Sequence, residues 1–133
     1  MTYLSPAKIN LFLHIISKRD DGYHNLQTIF QLLDFYDEIN FSLREDGKIN
    51  RTLGNENIPL ANDLMIKSAK KLQKLSGVNL GVDIRIIKKI PSGGGLGGGS
   101  SNAATTLMAL NQLWGLELTK QQLIAIGKGI GAD

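Results

Sequence analysis

With 133 residues, 42% of them hydrophobic and 20% charged, the chain has room for one packed core and a globular balance, which excludes a disordered or fibrous polymer. Fifteen lysines and arginines against 12 acidic residues leave a scattered surplus of +3, which lends little support to nucleic-acid binding and suits a phosphate-bearing small molecule equally well. Cysteine is absent, excluding disulfides, thiolate metal sites and cysteine catalysis, and the apolar run 11–16 is too short to span a membrane, so a cytoplasmic location is expected.

In chain order, residues 8–15 alternate, with Ile9, Leu11, Leu13 and Ile15 on one face and Lys8, Asn10, Phe12 and His14 on the other. A period of two predicts a half-buried strand. Arg19 to His24 reads as a turn with Asp21-Gly22 at its tip. Ile39, Phe41 and Leu43 alternate in a second strand, Asp46-Gly47 makes another turn, and residues 48–53 return as a further strand. The opening third thus reads as an antiparallel β region. From Leu64 the period becomes helical, with Met65, Ala69, Leu72 and Leu75 inward, Lys67, Lys70, Lys71 and Lys74 outward, and Gly77 as the stop. Val82, Ile84 and Ile86 predict a strand running toward Pro91. Residues 100–113 form a helix with Leu107, Leu110 and Leu113 on one side, stopped near Gly115. Thr119 caps a last helix with Leu123 and Ile126 inside. Strands first and helices interleaved afterwards indicate an α+β domain.

The strongest feature is P-S-G-G-G-L-G-G-G-S-S-N-A-A, Pro91 to Ala104, with six glycines within seven positions. Each glycine costs roughly 0.5–1 kcal/mol relative to alanine. A flexible turn with a helix cap is the plain alternative; a close approach of backbone to ligand is the reading that requires so many. Placed between a strand and a helix, the segment turns its amides and the helix N-terminus toward one concavity, an anion site suited to phosphate. Ser100, Ser101 and Asn102 can cap that helix or donate to phosphate oxygens. A Walker A loop is excluded because no lysine follows the last glycine. Gly93, Gly95 and Gly98 satisfy the dinucleotide fingerprint G-x-G-x-x-G, but the second parallel strand with its acidic end about twenty residues on has no room before the last helix.

The same segment resembles the second motif of the GHMP kinases, a family in which this loop wraps the phosphates of ATP. Three other stretches, S-P-A-K-I-N-L-F-L-H-I (residues 5–15), R-D-D-G-Y-H-N-L-Q-T (residues 19–28) and the terminal G-A-D, resemble the branch that phosphorylates a cytidine-diphosphate-linked methylerythritol in bacterial and plastid isoprenoid synthesis. The resemblance implies a two-layer, ribosomal-protein-like α/β N-terminal domain, ATP with Mg2+ as cofactor, and transfer of phosphate to the 2-hydroxyl of CDP-methylerythritol. It implies that Asp133 is the catalytic base and Lys8 the lysine beside it, which would keep the carboxylate ionised and neutralise charge on the transferring group. Asn10, on the same strand face as Lys8, can share the substrate pocket. Tyr23 and His24 match the pair that reads cytidine, one by stacking and the other by hydrogen bonding. His14 has no such role and reads as structural.

By the same resemblance the ATP phosphates fall to Pro91, Gly93, Gly94, Gly95, Leu96, Gly97, Gly98, Gly99, Ser100 and Ser101, with Ser100 or Ser101 a candidate metal ligand and Asp63 and Lys88 candidates on the adenine side. The wider family has its serines where Gly98-Gly99 stand here, and Asn62-Asp63-Leu64 replaces the branch's usual Asn-Leu. Family members continue past G-A-D into a C-terminal domain. The expectation is therefore an N-terminal portion with little or no activity alone, since a terminal aspartate carries a second carboxylate and lacks a following segment to position it. Apolar surface left exposed would drive self-association. Two alternatives stand beside the kinase: a non-catalytic nucleotide- or RNA-binding module, and a GHMP kinase of other specificity, which would lack the G-Y-H turn. The expected partner is a small molecule, with neither nucleic acid nor membrane.

Overall fold

Ile39 and Phe41 on one strand, and Val82, Ile84 and Ile86 on another, are in phase, and all five are buried on one face of a sheet. The computed structural model describes residues 1–6, 36–89 and 98–130, with the backbone alone for Pro6 and residues 98–100. Four strands, β1 (Thr2–Pro6), β2 (Tyr36–Arg44), β3 (Ile49–Leu53) and β4 (Gly81–Ile87), lie in the order β1-β2-β4-β3. Three helices, α1 (Leu64–Ser76), α2 (Gly98–Leu113) and α3 (Lys120–Lys128), and one short 3-10 turn (Leu60–Asn62) complete the described elements. The strand expected over residues 8–15 and the turn at 19–24 lie outside the described residues.

The core joins the sheet face to Met65, Ile66, Ala69 and Leu72 of α1 and to Leu107, Ala109 and Leu110 of α2. Each large apolar side chain buried there contributes about 1.5–3 kcal/mol. Tyr3 packs edge-on against Phe41, and the Trp114 indole donates to the Gly81 carbonyl at 3.1 Å, tying the end of α2 to the start of β4. The α+β class is as expected, and so are the three helices: α1 ends at Gly77 with φ +73°, and Thr119 with Gln122 forms a reciprocal capping box on α3. Asn111 bridges α2 to α3 by accepting from the Leu118 amide and donating to its carbonyl.

Three expectations need correction. Residues 49–53 do form a strand, but β3 pairs parallel with β4 instead of returning along β2. A parallel neighbour requires a crossover, and α1 supplies it between β3 and β4. The link 45–48 passes over the end of β4, where a Cβ on Gly81 would lie 2.0 Å from the Lys48 carbonyl oxygen; only glycine admits that crossing. Leu43 and Leu75 were expected inside but are 45% and 61% exposed. Both sit at the outgoing ends of their elements, where the apolar period persists after the covering layer has stopped. Lys71, expected outward, is half-buried.

Candidate functional site

Lys8, Asn10, His14, Tyr23, His24, Pro91, Gly93, Gly94, Gly95, Leu96, Gly97 and Asp133 lie outside the described residues. What is described is the pair of elements that enter and leave the glycine-rich segment, together with the remaining candidates Asp63, Lys88 and Ser101.

On the entry side β4 ends at Ile87, and the next two residues are held by Asp37. The Lys88 ammonium lies 2.7 Å from Asp37 Oδ2, and the Lys89 amide donates to Asp37 Oδ1 at 2.6 Å. Asp37 is fully buried, so its carboxylate depends on those donors to offset lost hydration. The Lys89 ammonium sits 4.8 Å above the centre of the Tyr36 ring. Lys88, the candidate on the nucleotide side, is thus already engaged with β2.

On the exit side α2 begins at Gly98, two residues before the expected start. Gly98 and Gly99 form its first turn, where backbone N–H groups have no partner within the helix and carry partial positive charge. No acidic residue stands in that turn to compete with an anion. One turn on, Ser101 and Asn102 are buried against β1. The Ser5 hydroxyl donates to Asn102 Oδ1 at 2.7 Å, and its proton being so used, the Ser101 hydroxyl 3.1 Å away donates to Ser5 Oγ. Thr106 donates to the Asn102 carbonyl at 2.8 Å, while the buried Thr105 hydroxyl has no hydrogen-bond partner among the described residues.

Asp63 is placed elsewhere. It caps α1 by accepting the Met65 amide at 2.9 Å, and its other oxygen takes Arg51 at 2.9 Å and the Asn55 amide group at 3.3 Å. The structure therefore brings Lys88 to Asp37, Ser101 to Ser5 and Asp63 to Arg51, each with a partner of its own. Among the described residues no three histidine or acidic side chains gather as a metal site, and no helix is long and apolar enough to cross a membrane.

Two residues escaped sequence reasoning. Ser5 opens the stretch S-P-A-K-I-N-L-F-L-H-I, and nothing near it in sequence gives it a role. Asp37 carried a legible signal: it is an acidic residue in phase with the buried Ile39 and Phe41, and a charge in phase with a core demands a partner.

The profile of the GHMP kinases N terminal domain matches residues 63–133. The chain is 61% identical over 132 residues to the 4-diphosphocytidyl-2-C-methyl-D-erythritol kinase of Ruthia magnifica subsp. Calyptogena magnifica, covering 99% of this chain and 46% of that protein. It is 53% identical over 133 residues to the protein of the same name from Pseudomonas fluorescens, covering 100% and 47%. The chain spans about half the length of the curated relatives it matches. Among solved structures, a 4-(cytidine 5'-diphospho)-2C-methyl-D-erythritol kinase superposes over 100% of this chain and 47% of its own, with a TM-score of 0.65 and 25% identity. A homoserine kinase from Cytophaga hutchinsonii covers 69% of this chain and 31% of its own at TM-score 0.62 and 23% identity, a likeness of fold.

Proposed function

Because this chain belongs to the GHMP kinases, we propose that the protein it forms part of transfers the γ-phosphate of ATP to the 2-hydroxyl of 4-diphosphocytidyl-2-C-methyl-D-erythritol, a step of the methylerythritol phosphate route to isoprenoids. The observation that carries the reading is the 61% identity, over 99% of the chain, to a kinase named for that substrate. In this reading Asp133 takes the proton from the attacking hydroxyl, and Lys8 keeps it ionised and balances charge on the transferring group. Tyr23 and His24 read the cytosine, Asn10 shares the sugar-alcohol pocket, and Asp63 and Lys88 stand on the adenine side. The glycine-rich residues 91–101 cradle the phosphates.

The described part of that cradle fits a metal-bound triphosphate: the first turn of α2 is built of glycine and free of carboxylates. Mg2+ binds largely through substrate phosphates and needs few protein ligands. Ser100 or Ser101 would contribute the protein oxygen, and bound Mg2+ would neutralise charge on the β- and γ-phosphates. The cytoplasm is the location that such a soluble substrate implies. The same reading has the 133-residue chain associate with itself through exposed apolar side chains such as Leu53, Leu60 and Leu75. A strictly monomeric species by light scattering at high concentration contradicts that part.

The test is ADP release with Mg2+, ATP and the cytidine-diphosphate substrate, for this chain and for a form continued past Asp133 to the length of its relatives. The longer form is expected to turn over, and Lys8→Ala and Asp133→Asn to abolish turnover. ATP binding without turnover on this substrate would leave the phosphate loop standing and remove the proposed acceptor.

A further inference from the structure

Ser5 and Asp37 are direct cross-strand partners in the antiparallel β1–β2 ladder, and both are fully buried. Opposed residues of such a pair project from the same face of the sheet. Each holds one end of the same stretch of chain. Asp37 takes the Lys88 ammonium at 2.7 Å and the Lys89 amide at 2.6 Å, immediately before residue 90. Ser5 donates to Asn102 at 2.7 Å and accepts from Ser101 at 3.1 Å, immediately after residue 100. All six glycines of the cluster fall between these two anchors.

Six glycines within seven positions have the largest conformational entropy to lose and no side chains of their own. An apolar side chain at position 37, in phase with Ile39 and Phe41, would satisfy the core alone; a carboxylate there needs donors, and two of them come from the segment's entry. The same holds for the hydroxyl of Ser5, whose partners both lie on the first turns of α2.

We infer that Ser5 and Asp37 form a cross-strand clamp, a pair of positioning residues that sets the spacing of the two ends of the glycine-rich segment so that its amides meet the phosphates of a nucleoside triphosphate. The inference rests on the phosphate-loop reading above. The Ser5 arm acts on phosphate recognition and leaves the nucleoside untouched, whereas the Asp37 arm also holds Lys88, which the reading above places on the adenine side.

The experiment uses the form continued past Asp133, with Ser5→Ala, Asp37→Ala and Asp37→Asn. Hydrogen exchange by mass spectrometry follows peptides covering residues 88–102 and, as a control, α3. Calorimetry gives affinities for ATP and for adenosine. Each alanine variant is expected to speed exchange across 88–102 with α3 unchanged, and to weaken ATP about tenfold, with adenosine holding its affinity in Ser5→Ala. Should alanine at 37 prevent folding, Asp37→Asn keeps an acceptor for the Lys89 amide, loses the charge facing Lys88, and gives a smaller shift in the same direction. Exchange unaltered in both Ser5→Ala and Asp37→Asn overturns the clamp, as does an equal loss of ATP and adenosine in Ser5→Ala. An unmodified protein that binds no ATP overturns the phosphate-loop reading instead, with exchange still deciding whether the clamp exists.

Discussion

Arg51 and Asp63 meet at 2.9 Å with 11% and 2% of their side chains exposed, so an edge strand and the first turn of a helix share one nearly dry ion pair. Asp63 serves two elements through its two oxygens: Oδ1 caps α1 at Met65, and Oδ2 holds Arg51 on β3. Removing the carboxylate strands a guanidinium and uncaps a helix together. Asp63→Ala is expected to lower unfolding free energy by about 3–5 kcal/mol, most of it from the broken pair. Asp63→Asn, which can still cap but carries no charge, should be spared only the capping share of about 1 kcal/mol and lose most of the rest. Urea midpoints measure both, and a loss near zero in Asp63→Asn would show that the charge is unimportant.

Gly81 and Gly77 separate two reasons for glycine. At Gly81 a methyl would meet the backbone of Gly47 and Lys48 at 2.0–2.6 Å, whereas at Gly77 nothing lies within 4 Å and only φ +73° disfavours a side chain. Gly77→Ala should cost about 1–2 kcal/mol. Gly81→Ala should cost considerably more and disturb Trp114, whose indole is bonded to the Gly81 carbonyl. Trp114 is the sole tryptophan, so its emission reports on that contact directly. A red shift in Gly81→Ala, absent in Gly77→Ala, is the expected result.

Those glycines mark how far sequence reasoning reaches. Helix ends were legible because their signals are local: Thr119 with Gln122, and Gly77, act within one turn of where they stand. The β3 strand was legible as a strand but not as a parallel neighbour of β4, because alternation says which residues face inward and nothing about which strand lies alongside. The trace of that pairing was Gly81, a glycine opening an apolar strand. Of the candidate site, the motifs named the glycine segment, while its anchors went unseen. Ser5 and Asp37 take their meaning from partners 96 and 97, and 51 and 52, residues away.

Thr105 is fully buried and its hydroxyl finds no partner among the described residues. Replacing it by valine, nearly the same shape, removes an unpaired polar group, which costs about 1–3 kcal/mol while it remains. Thr105→Val is expected to raise the melting temperature. A lowered one would mean that the hydroxyl is bonded in solution.

Asp46 provides the pH dependence. Its hydrogen bond from Arg44, followed by the Lys48 amide, holds its carboxyl well below the ordinary carboxylate value of 3.8. A folded pKa below the unfolded one means stability that is present above about pH 4 and fades as pH falls through the folded value. The pair is exposed, so the effect is modest. Asp46→Asn should flatten the acid limb of a stability–pH curve and leave the neutral region nearly unchanged. An identical acid limb in both proteins would remove Asp46 from the account.

The central claim is a phosphoryl transfer to one hydroxyl of one substrate, and phosphorus NMR of the product tests it most directly. In a 2-C-methylerythritol the carbon bearing the 2-hydroxyl also carries the methyl group and no hydrogen. Incubating the form continued past Asp133 with Mg2+, ATP and 4-diphosphocytidyl-2-C-methyl-D-erythritol should give a new phosphomonoester resonance that remains a singlet without proton decoupling. A resonance split by protons on the attached carbon would place the phosphate on another hydroxyl, and no new phosphomonoester at all would contradict the claim.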